Sequence, residues 1–382
     1  MELWRTGCGC PYAPGKNRGH NTSADRITNR QVRKDFSTKE LHDMDFRLSV
    51  LDLSPVSSGS NGAQALRNTL EVARLADRLG YERYWLAEHH NLPSVASSAP
   101  EVMIGHVAEV TERIRVGAGG IMLPNHAPLR VAETFRVLEA LHPGRVDLGI
   151  GRAPGTDPVT AAVLRRSQNG QGADDFPQQF SELLAFSSDG FPEGHPLRSV
   201  IAMPSDVGLP PIWLLGSSGY SARAAGEMGL GYAFASHFSP TDPAPAMRAY
   251  RESFEPSEAF ERPSAILAVS VICAKTNEHA EELASSMELA WVRMRSGNPE
   301  PLPSPKEAMD YTYSPAERRL ADVYRSMQVI GDPRTVRTRI EELAEHTAAD
   351  EVMVTTNVYD HTERLRSYEL IAEGFKIATP SK

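Results

Sequence analysis

The strongest constraint on the fold is a repeat in which a short apolar run is followed by a segment of helical periodicity. Between residues 46 and 150 the apolar runs fall at 46–52, 83–88, 115–120 and 146–150. Helical patterns at 63–79, 100–110 and 129–141 separate them. Crossovers of this length join parallel strands with a right-handed sense. The repeat therefore predicts a parallel sheet with helices between its strands.

The repeat continues to the end of the chain, with two interruptions. Apolar runs at 211–216, 232–235, 265–274 and 351–355 bring the number of predicted strands to eight. Segments 152–172 and 297–314 are rich in Gly, Pro and polar residues, and we expect them to be insertions after strands four and seven. Eight strands alternating with helices predict an α/β fold, a (β/α)8 TIM barrel. An open doubly wound sheet is the alternative, although no mid-chain linker divides the pattern.

Residues 1–43 differ from the rest, because they are polar and lack both helical and strand periodicity. We expect a disordered N-terminal extension there, and the barrel domain over 44–382. Cys8 and Cys10 have no second cysteine pair at zinc-finger spacing, so no metal site is expected. With Cys273 they are the chain's three cysteines, which indicates a reducing, cytoplasmic compartment. The net charge of −9 and the absence of a long apolar run argue against nucleic-acid and membrane partners.

The second predicted strand ends in three ionisable residues, Glu88, His89 and His90. The carboxyl ends of parallel strands are where active sites form in barrels. Because neighbouring strand residues face opposite sides, one histidine should face the barrel mouth and the other should pack aside. The residues alone leave three interpretations: a metal site, a general base, or a histidine hydrogen-bonded within its loop. Further metal ligands are missing at the other strand ends, which weakens the first.

Three later strand exits are rich in glycine or serine. Glycines at 117–120 would let a planar ligand approach the backbone, and Arg152 follows the glycines of strand four. Ser218 and Ser221 stand at the start of a predicted helix, where free N–H groups and hydroxyls can bind an anion. A tight turn, a surface arginine and an ordinary helix cap are the alternatives for these three segments.

Segments 84–90, 116–128, 144–155 and 214–230 together resemble the bacterial luciferase-like flavin-dependent monooxygenases. The resemblance runs from about residue 46 to the C-terminus. It implies an oxidoreductase in which reduced FMN, supplied by a separate reductase, reacts with O2 to a flavin hydroperoxide that oxidises a small organic substrate. It also implies a homodimer. An F420-dependent oxidoreductase of the same barrel family and a non-catalytic flavin-binding protein remain alternatives, as does a metal-dependent barrel hydrolase.

Position by position, the resemblance assigns His89 as the catalytic imidazole, with Glu88 and His90 as its supports. It implies a non-prolyl cis peptide at Gly119–Gly120 beneath the isoalloxazine ring. Gly151 stands where bacterial luciferase has a reactive cysteine, so light emission is not expected. The phosphate would be held by Arg152, Ser218 and Ser221. The expected cofactor-binding residues are Gly119, Gly120, Gly151, Arg152, Ser217, Ser218, Gly219, Tyr220 and Ser221.

Overall fold

Eight parallel strands close into a barrel in the computed structural model, which describes residues 46–165, 175–187 and 190–377. In chain order the strands are β1 (Arg47–Asp52), β2 (Arg83–Leu86), β3 (Arg115–Met122), β4 (Val146–Gly151), β5 (Ile212–Gly216), β6 (Gly231–Ala235), β7 (Ala265–Cys273), β8 (Gln328–Gly331) and β9 (Glu351–Thr355). Strands β1 to β7 pair in order, and β9 closes the ring by pairing with β7 and with β1. The closed ring confirms the predicted (β/α)8 barrel and excludes the open sheet.

Strand β8 lies outside the ring, because it pairs only with the last four residues of β7. The sequence did not predict this ninth strand. Its four residues alternate between half-buried and buried, a pattern too short to stand out. β8 lies beside the carboxyl-terminal end of β7 and follows the second insertion in the chain.

Twelve α-helices occur in the described residues. They are α1 (Gly62–Leu79), α2 (Pro100–Glu109), α3 (Pro128–Leu141), α4 (Pro158–Arg165), α5 (Phe176–Ser187), α6 (Gly219–Glu227), α7 (Ala244–Glu252), α8 (Asn277–Arg295), α9 (Pro305–Asp310), α10 (Pro315–Ser326), α11 (Pro333–Thr347) and α12 (His361–Phe375). Helix α4 interrupts the stretch predicted as a loop at 152–172, and α9 lies in the second insertion. None of the described helices is long and apolar enough to cross a membrane. The predicted extension at 1–43 lies outside the described residues.

Local chemistry fixes the helix ends that the pattern predicted. Helix α1 begins where the Asn61 side chain accepts a hydrogen bond from the Gln64 N–H. It ends at Gly80, whose φ of 88° is in the left-handed region that glycine adopts without a steric penalty. Helix α10 begins with a reciprocal capping box between Ser314 and Glu317. These ends set the lengths of the crossovers, and hence where each following strand begins.

Side chains alternate between two cores along each strand. The core inside the barrel contains large apolar side chains from opposite strands, including Trp85, Trp213 and Met353. The second core lies between the strands and the surrounding helices. At the amino ends of the strands, Arg83 donates to Asp147 at 2.8 Å and to Glu351 at 3.0 Å, and all three side chains are buried. This charged layer closes the bottom of the barrel, so the open mouth lies at the carboxyl ends.

Candidate active site

The Glu88 carboxylate links the loops that follow β2 and β3. It is fully buried and accepts hydrogen bonds from the Met122 N–H at 2.8 Å and from Asn125 Nδ2 at 3.1 Å. The Nε2 atom of His90 lies 2.9 Å from Glu88 Oε1, and Nε2 of His126 lies 3.0 Å from both carboxylate oxygens. The carboxylate therefore holds a short 3-10 turn, Leu123–Asn125, against the β2 exit.

The charge of Glu88 is stabilised by these partners. Burial alone would raise the pKa of Glu88, but the hydrogen bonds from His126, His90 and Met122 outweigh it and lower the pKa. Burial alone would lower the pKa of His126, but the hydrogen bond to the Glu88 carboxylate outweighs it and raises the pKa. Within the described residues, no group of three or more His, Cys, Asp or Glu side chains is placed to hold a metal ion. The cluster acts as a charge-assisted clamp on the two loops.

Among the described residues, the His89 side chain makes no hydrogen bond to this cluster, unlike those of His90 and His126. Its backbone N–H donates to the Ser97 carbonyl at 2.8 Å. Its Nδ1 atom is buried and has no hydrogen-bond partner among the described residues. Burial lowers the pKa of His89, and His90 lowers it further against the opposing effect of Glu88. The imidazole is therefore neutral at pH 7 and can accept a proton.

The carboxyl-terminal part of β3 contains two adjacent glycines, Gly119 and Gly120, which have no side chains. The Gly119–Gly120 peptide is cis, which confirms the predicted bond, and the pairing with β4 shifts register at this point. A Cβ on Gly119 would lie 2.7 Å from Leu51 Cδ1, and one on Gly120 would lie 2.8 Å from the Gly149 carbonyl oxygen. Because neither position has room for a side chain, the backbone itself forms the wall of the mouth here.

Arg152 and the start of α6 follow neighbouring strands. Ile150 of β4 pairs with Leu214 of β5, so both exits leave the barrel at the same edge. Arg152 is exposed, and its side chain makes no hydrogen bond or ion pair with the described residues. The Ser218 hydroxyl makes no capping bond, and Ser221 Oγ donates to the Ser218 carbonyl at 3.1 Å. An unpaired guanidinium beside a helix N-terminus is an arrangement that suits a phosphate.

The remaining expected cofactor residues lie at the same rim. A Cβ on Gly151 would lie 2.8 Å from Met122 Sδ, so only glycine fits without displacing that side chain. Ser217 is half-buried, and Gly219 has open space around it. The Tyr220 side chain is 56% exposed. The structure thus brings the three loop regions to one mouth and leaves the individual ligand contacts as predictions.

His237 is a site residue that the sequence analysis missed. It lies two residues beyond β6, and its Nδ1 atom is buried without a hydrogen-bond partner among the described residues. Burial, with a further effect from His89, lowers the pKa of His237 to about 4. The two imidazoles therefore lie within electrostatic reach of each other. The sequence offered no signal for it, because it lies in the turn after β6, beyond the apolar pattern of the strand.

The opposite end of the barrel has a cleft of about 750 Å³, which includes Arg47, Arg83, Arg251 and Arg262 in its lining. Three of these arginines are already paired: Arg47 with Glu82, Arg83 with Asp147 and Glu351, and Arg251 with Asp350. The cleft lies at the amino ends of the strands, where residues of (β/α)8 barrels serve stability. We therefore locate the candidate site at the carboxyl ends.

Comparison with known proteins matches this chain to one family. The family model described as luciferase-like monooxygenase matches residues 44–351. A protein of Escherichia coli K12 named luciferase-like monooxygenase is 44% identical over 86% of this chain and 96% of its own length. The N-acetyl-S-alkylcysteine monooxygenase of Bacillus subtilis is 32% identical over 86% of this chain and 98% of its own length.

Solved structures show the same fold. Apo-MsnO8 superposes with a TM-score of 0.78 at 38% identity, covering 88% of this chain and 99% of its own. The oxygenating constituent of 3,6-diketocamphane monooxygenase from Pseudomonas putida, in complex with FMN, has a TM-score of 0.63 at 20% identity, covering 88% of this chain and 100% of its own. An F420-dependent secondary alcohol dehydrogenase has a TM-score of 0.60 at 15% identity, covering 87% of this chain and 99% of its own. At these identities the last two show the fold alone.

Proposed function

Because the chain belongs to the luciferase-like monooxygenase family, we propose that it is a flavin-dependent monooxygenase that uses reduced FMN and O2. Its substrate is a small organic molecule. One observation carries the proposal: an unpaired Arg152 and the N-terminus of α6 lie at the same barrel mouth as the neutral imidazole of His89.

The residues at the mouth fit a flavin mononucleotide. Arg152 supplies a charged donor that has no partner within the described residues, and Ser218 supplies a hydroxyl that makes no capping bond. These groups would hold the phosphate, together with Ser221 and the backbone N–H groups at the start of α6. Gly119 and Gly120 carry no side chain, so a planar ring could approach the backbone of β3 closely here.

Reduced FMN would supply the electrons with which one oxygen atom of O2 enters the substrate and the other leaves as water. The chain's own part is to bind, to orient and to handle protons. Nδ1 of His89 is the atom that we propose accepts and returns a proton, because it is buried and unpaired within the described residues and because the lowered pKa keeps the ring neutral at pH 7. Glu88 and His90 support it by fixing the loop in which it lies.

An F420-dependent oxidoreductase is the second candidate. The F420-dependent alcohol dehydrogenase shares the barrel, and Arg152 could also bind the phosphate of F420. One similarity favours the monooxygenase: the relative at 32% identity is named a monooxygenase. A non-catalytic flavin-binding protein is a further alternative, and it would bind FMN without oxygenating any substrate.

Anaerobic titration with reduced FMN and reduced F420, followed by admission of O2, separates these candidates. The proposal predicts tight binding of reduced FMN, and oxygen uptake coupled to product formation across a panel of thioethers, ketones and alkanes. Preferential binding of F420 without oxygen uptake would favour the second candidate. FMN binding with no product from any member of the panel would favour the non-catalytic alternative.

Two partners complete the proposal. We expect a separate reductase to supply the reduced flavin, and we expect the chain to form a homodimer. Light emission is not expected, because Gly151 replaces the cysteine that the resemblance places there. Reconstitution with an NAD(P)H-dependent flavin reductase would show whether diffusing reduced FMN sustains turnover.

A further inference from the structure

Three polar residues follow the carboxyl ends of β2, β6 and β9 at equivalent positions. Inward side chains of alternate strands form layers in (β/α)8 barrels, and the ion pair between Arg83 and Glu351 marks one such layer on β2 and β9. The Arg83 guanidinium also lies 4.8 Å from the Trp213 ring, and Trp213 pairs in register with Gly231 of β6. Six residues after Arg83, Gly231 and Glu351 come His89, His237 and Asn357, two or three residues past the ends of their strands. We call these three residues the polar layer of the mouth.

Each member of this polar layer has a buried atom without a partner. His89 Nδ1, His237 Nδ1 and Asn357 Oδ1 make no hydrogen bond within the described residues. Buried polar atoms are nearly always hydrogen-bonded, so three such atoms on one layer indicate a bound group that they contact. Coulombic contact between the rings of His89 and His237 supports their closeness.

The free atoms of two members indicate what kind of group this is. Burial lowers the pKa of His237 to about 4, so at pH 7 its neutral ring carries one proton and one lone pair on its two nitrogens. We assign the lone pair to Nδ1, the buried atom that has no partner within the described residues. Asn357 Nδ2 donates to Thr355 Oγ1 at 3.4 Å, which leaves Asn357 Oδ1 as an acceptor. Both free atoms are therefore hydrogen-bond acceptors.

We propose that His237, with Asn357, forms an acceptor site opposite His89 for an O–H or N–H donor of a ligand in the mouth. The site disfavours anionic groups, because a carboxylate or phosphate there would face lone pairs. The identity of the ligand rests on the proposed function: the donor is an N–H of the reduced flavin or an O–H or N–H of the organic substrate. His237 is thus a binding residue on the face of the mouth opposite His89.

Nitrogen-15 NMR of the imidazoles tests the acceptor state directly. We expect His237 at pH 7 to show an unprotonated Nδ1 and a protonated Nε2. Reduced FMN, added without oxygen, should shift His237 Nδ1 if the flavin is the donor. The alcohol 1-hexanol, but not its isomer methyl pentyl ether, should shift it if the organic substrate is the donor. A protonated Nδ1 at pH 7, or a signal that none of these probes moves, overturns the proposal.

Two substitutions separate hydrogen bonding from packing. His237→Phe keeps a ring but removes the acceptor, whereas His237→Asn retains an oxygen near the position of Nδ1. Affinity for the probe that shifts the signal should fall roughly five- to tenfold in His237→Phe and return to within about twofold in His237→Asn, the effect of one hydrogen bond. Equal losses in both variants, with circular dichroism showing folded protein, would mean that His237 only packs. Optical titration with FMN tests the proposed function separately. The NMR experiment with 1-hexanol does not depend on it, because that experiment can be done on protein without cofactor.

Discussion

At the scale of single residues, the histidines of the mouth differ in their hydrogen bonding. His90 and His126 bond to the Glu88 carboxylate, while His89 faces the other side with an unpaired Nδ1. The raised pKa of His126 and the lowered pKa of His89 follow from these surroundings. His90 and His126 hold the loops together, and we expect His89 to be the residue that transfers protons.

Replacing His89 by alanine should slow product formation by roughly 10²- to 10⁴-fold, the range for loss of a general acid–base group. Binding of FMN should remain within about threefold of the wild type, because the expected phosphate contacts lie on other loops. Single-turnover mixing of the reduced-flavin complex with O2 measures the first quantity, and flavin absorbance measures the second. His106→Ala is the matched control on the exposed side of α2, and unchanged kinetics in His89→Ala would remove His89 from the mechanism.

Acid should destabilise the fold partly through His237. The folded state binds a proton at His237 only near pH 4, whereas the unfolded chain binds it near pH 6.5. The unfolded state therefore holds more protons in this window, and stability is lost as pH falls from about 6.5 towards 4. The contribution has a slope of up to ~1.4 kcal/mol per pH unit. Urea unfolding of wild type and His237→Phe at several pH values should show a shallower decline in the variant, and parallel curves would contradict the assignment.

At the residue scale, alternation along the strand predicted only that one of the two histidines after β2 would face the mouth. His89 and Gly119–Gly120 were assigned by the resemblance. Asn125 and His126 were not expected to contact Glu88, because a 3-10 turn with no sequence periodicity places them there. His237 was missed because it lies in the turn after β6, where strand parity is no longer apparent from the apolar pattern.

At the scale of elements, the pairing of β3 with β4 depends on close backbone approach. A Cβ on Gly149 would collide with the Ala118 carbonyl oxygen and lie 3.0 Å from Leu215 Cδ1. The register shift between Ala118 and Ile121 falls at the same place. Glycine thus allows the backbones of β3 and β4 to approach closely at the mouth.

The Gly149→Ala substitution should lower the free energy of unfolding by roughly 2–3 kcal/mol, as overpacking of a rigid backbone contact does. Gly208→Ala is the matched control, since a Cβ there meets nothing within 4 Å. It should change stability by less than about 0.5 kcal/mol. Chemical denaturation measures the free energy of unfolding of both variants. Similar losses of stability in the two would show that the β3–β4 backbone contact can relax to accept a methyl group.

Elements were predictable in proportion to their length and periodicity. The eight ring strands and most of the long helices were predicted, because apolar runs and helical faces repeat over many residues. The twelve-residue helix α10, directly after the second insertion, was not predicted. Helix α4 has eight residues inside a Gly- and Pro-rich stretch, and β8 has four. Tertiary contacts, rather than local sequence, determine whether such short elements form. Strand β8, for example, pairs only with the end of β7.

At the scale of the whole molecule, exposed apolar side chains suggest how the expected homodimer would form. Val102 of α2 is 57% exposed, and Val137 and Leu141 of α3 are 47% and 67% exposed. Helices α2 and α3 pack against each other, so these side chains share one region of the surface. Burial of such a surface is the usual driving force for association.

A charge on this surface should weaken the dimer. Leu141→Glu should shift the mass measured by light scattering towards the monomer at micromolar concentration, because an unpaired carboxylate would be buried. Val159→Glu on α4, where the valine is 75% exposed, is the matched control and should leave the mass unchanged. A monomeric wild type, or equal effects of the two substitutions, would contradict this assignment.

The central claim for the molecule is that the mouth binds FMN with its phosphate at Arg152. Riboflavin lacks the phosphate, so its affinity reports every other contact. Calorimetric titration of wild type and Arg152→Ala with both ligands, alongside Arg319→Ala as an exposed arginine on α10, measures the contact directly. The account predicts that Arg152→Ala weakens FMN binding by roughly ten- to a hundredfold, the value of a charge-assisted hydrogen bond, and leaves riboflavin within about twofold. Equal losses for FMN and riboflavin would contradict it.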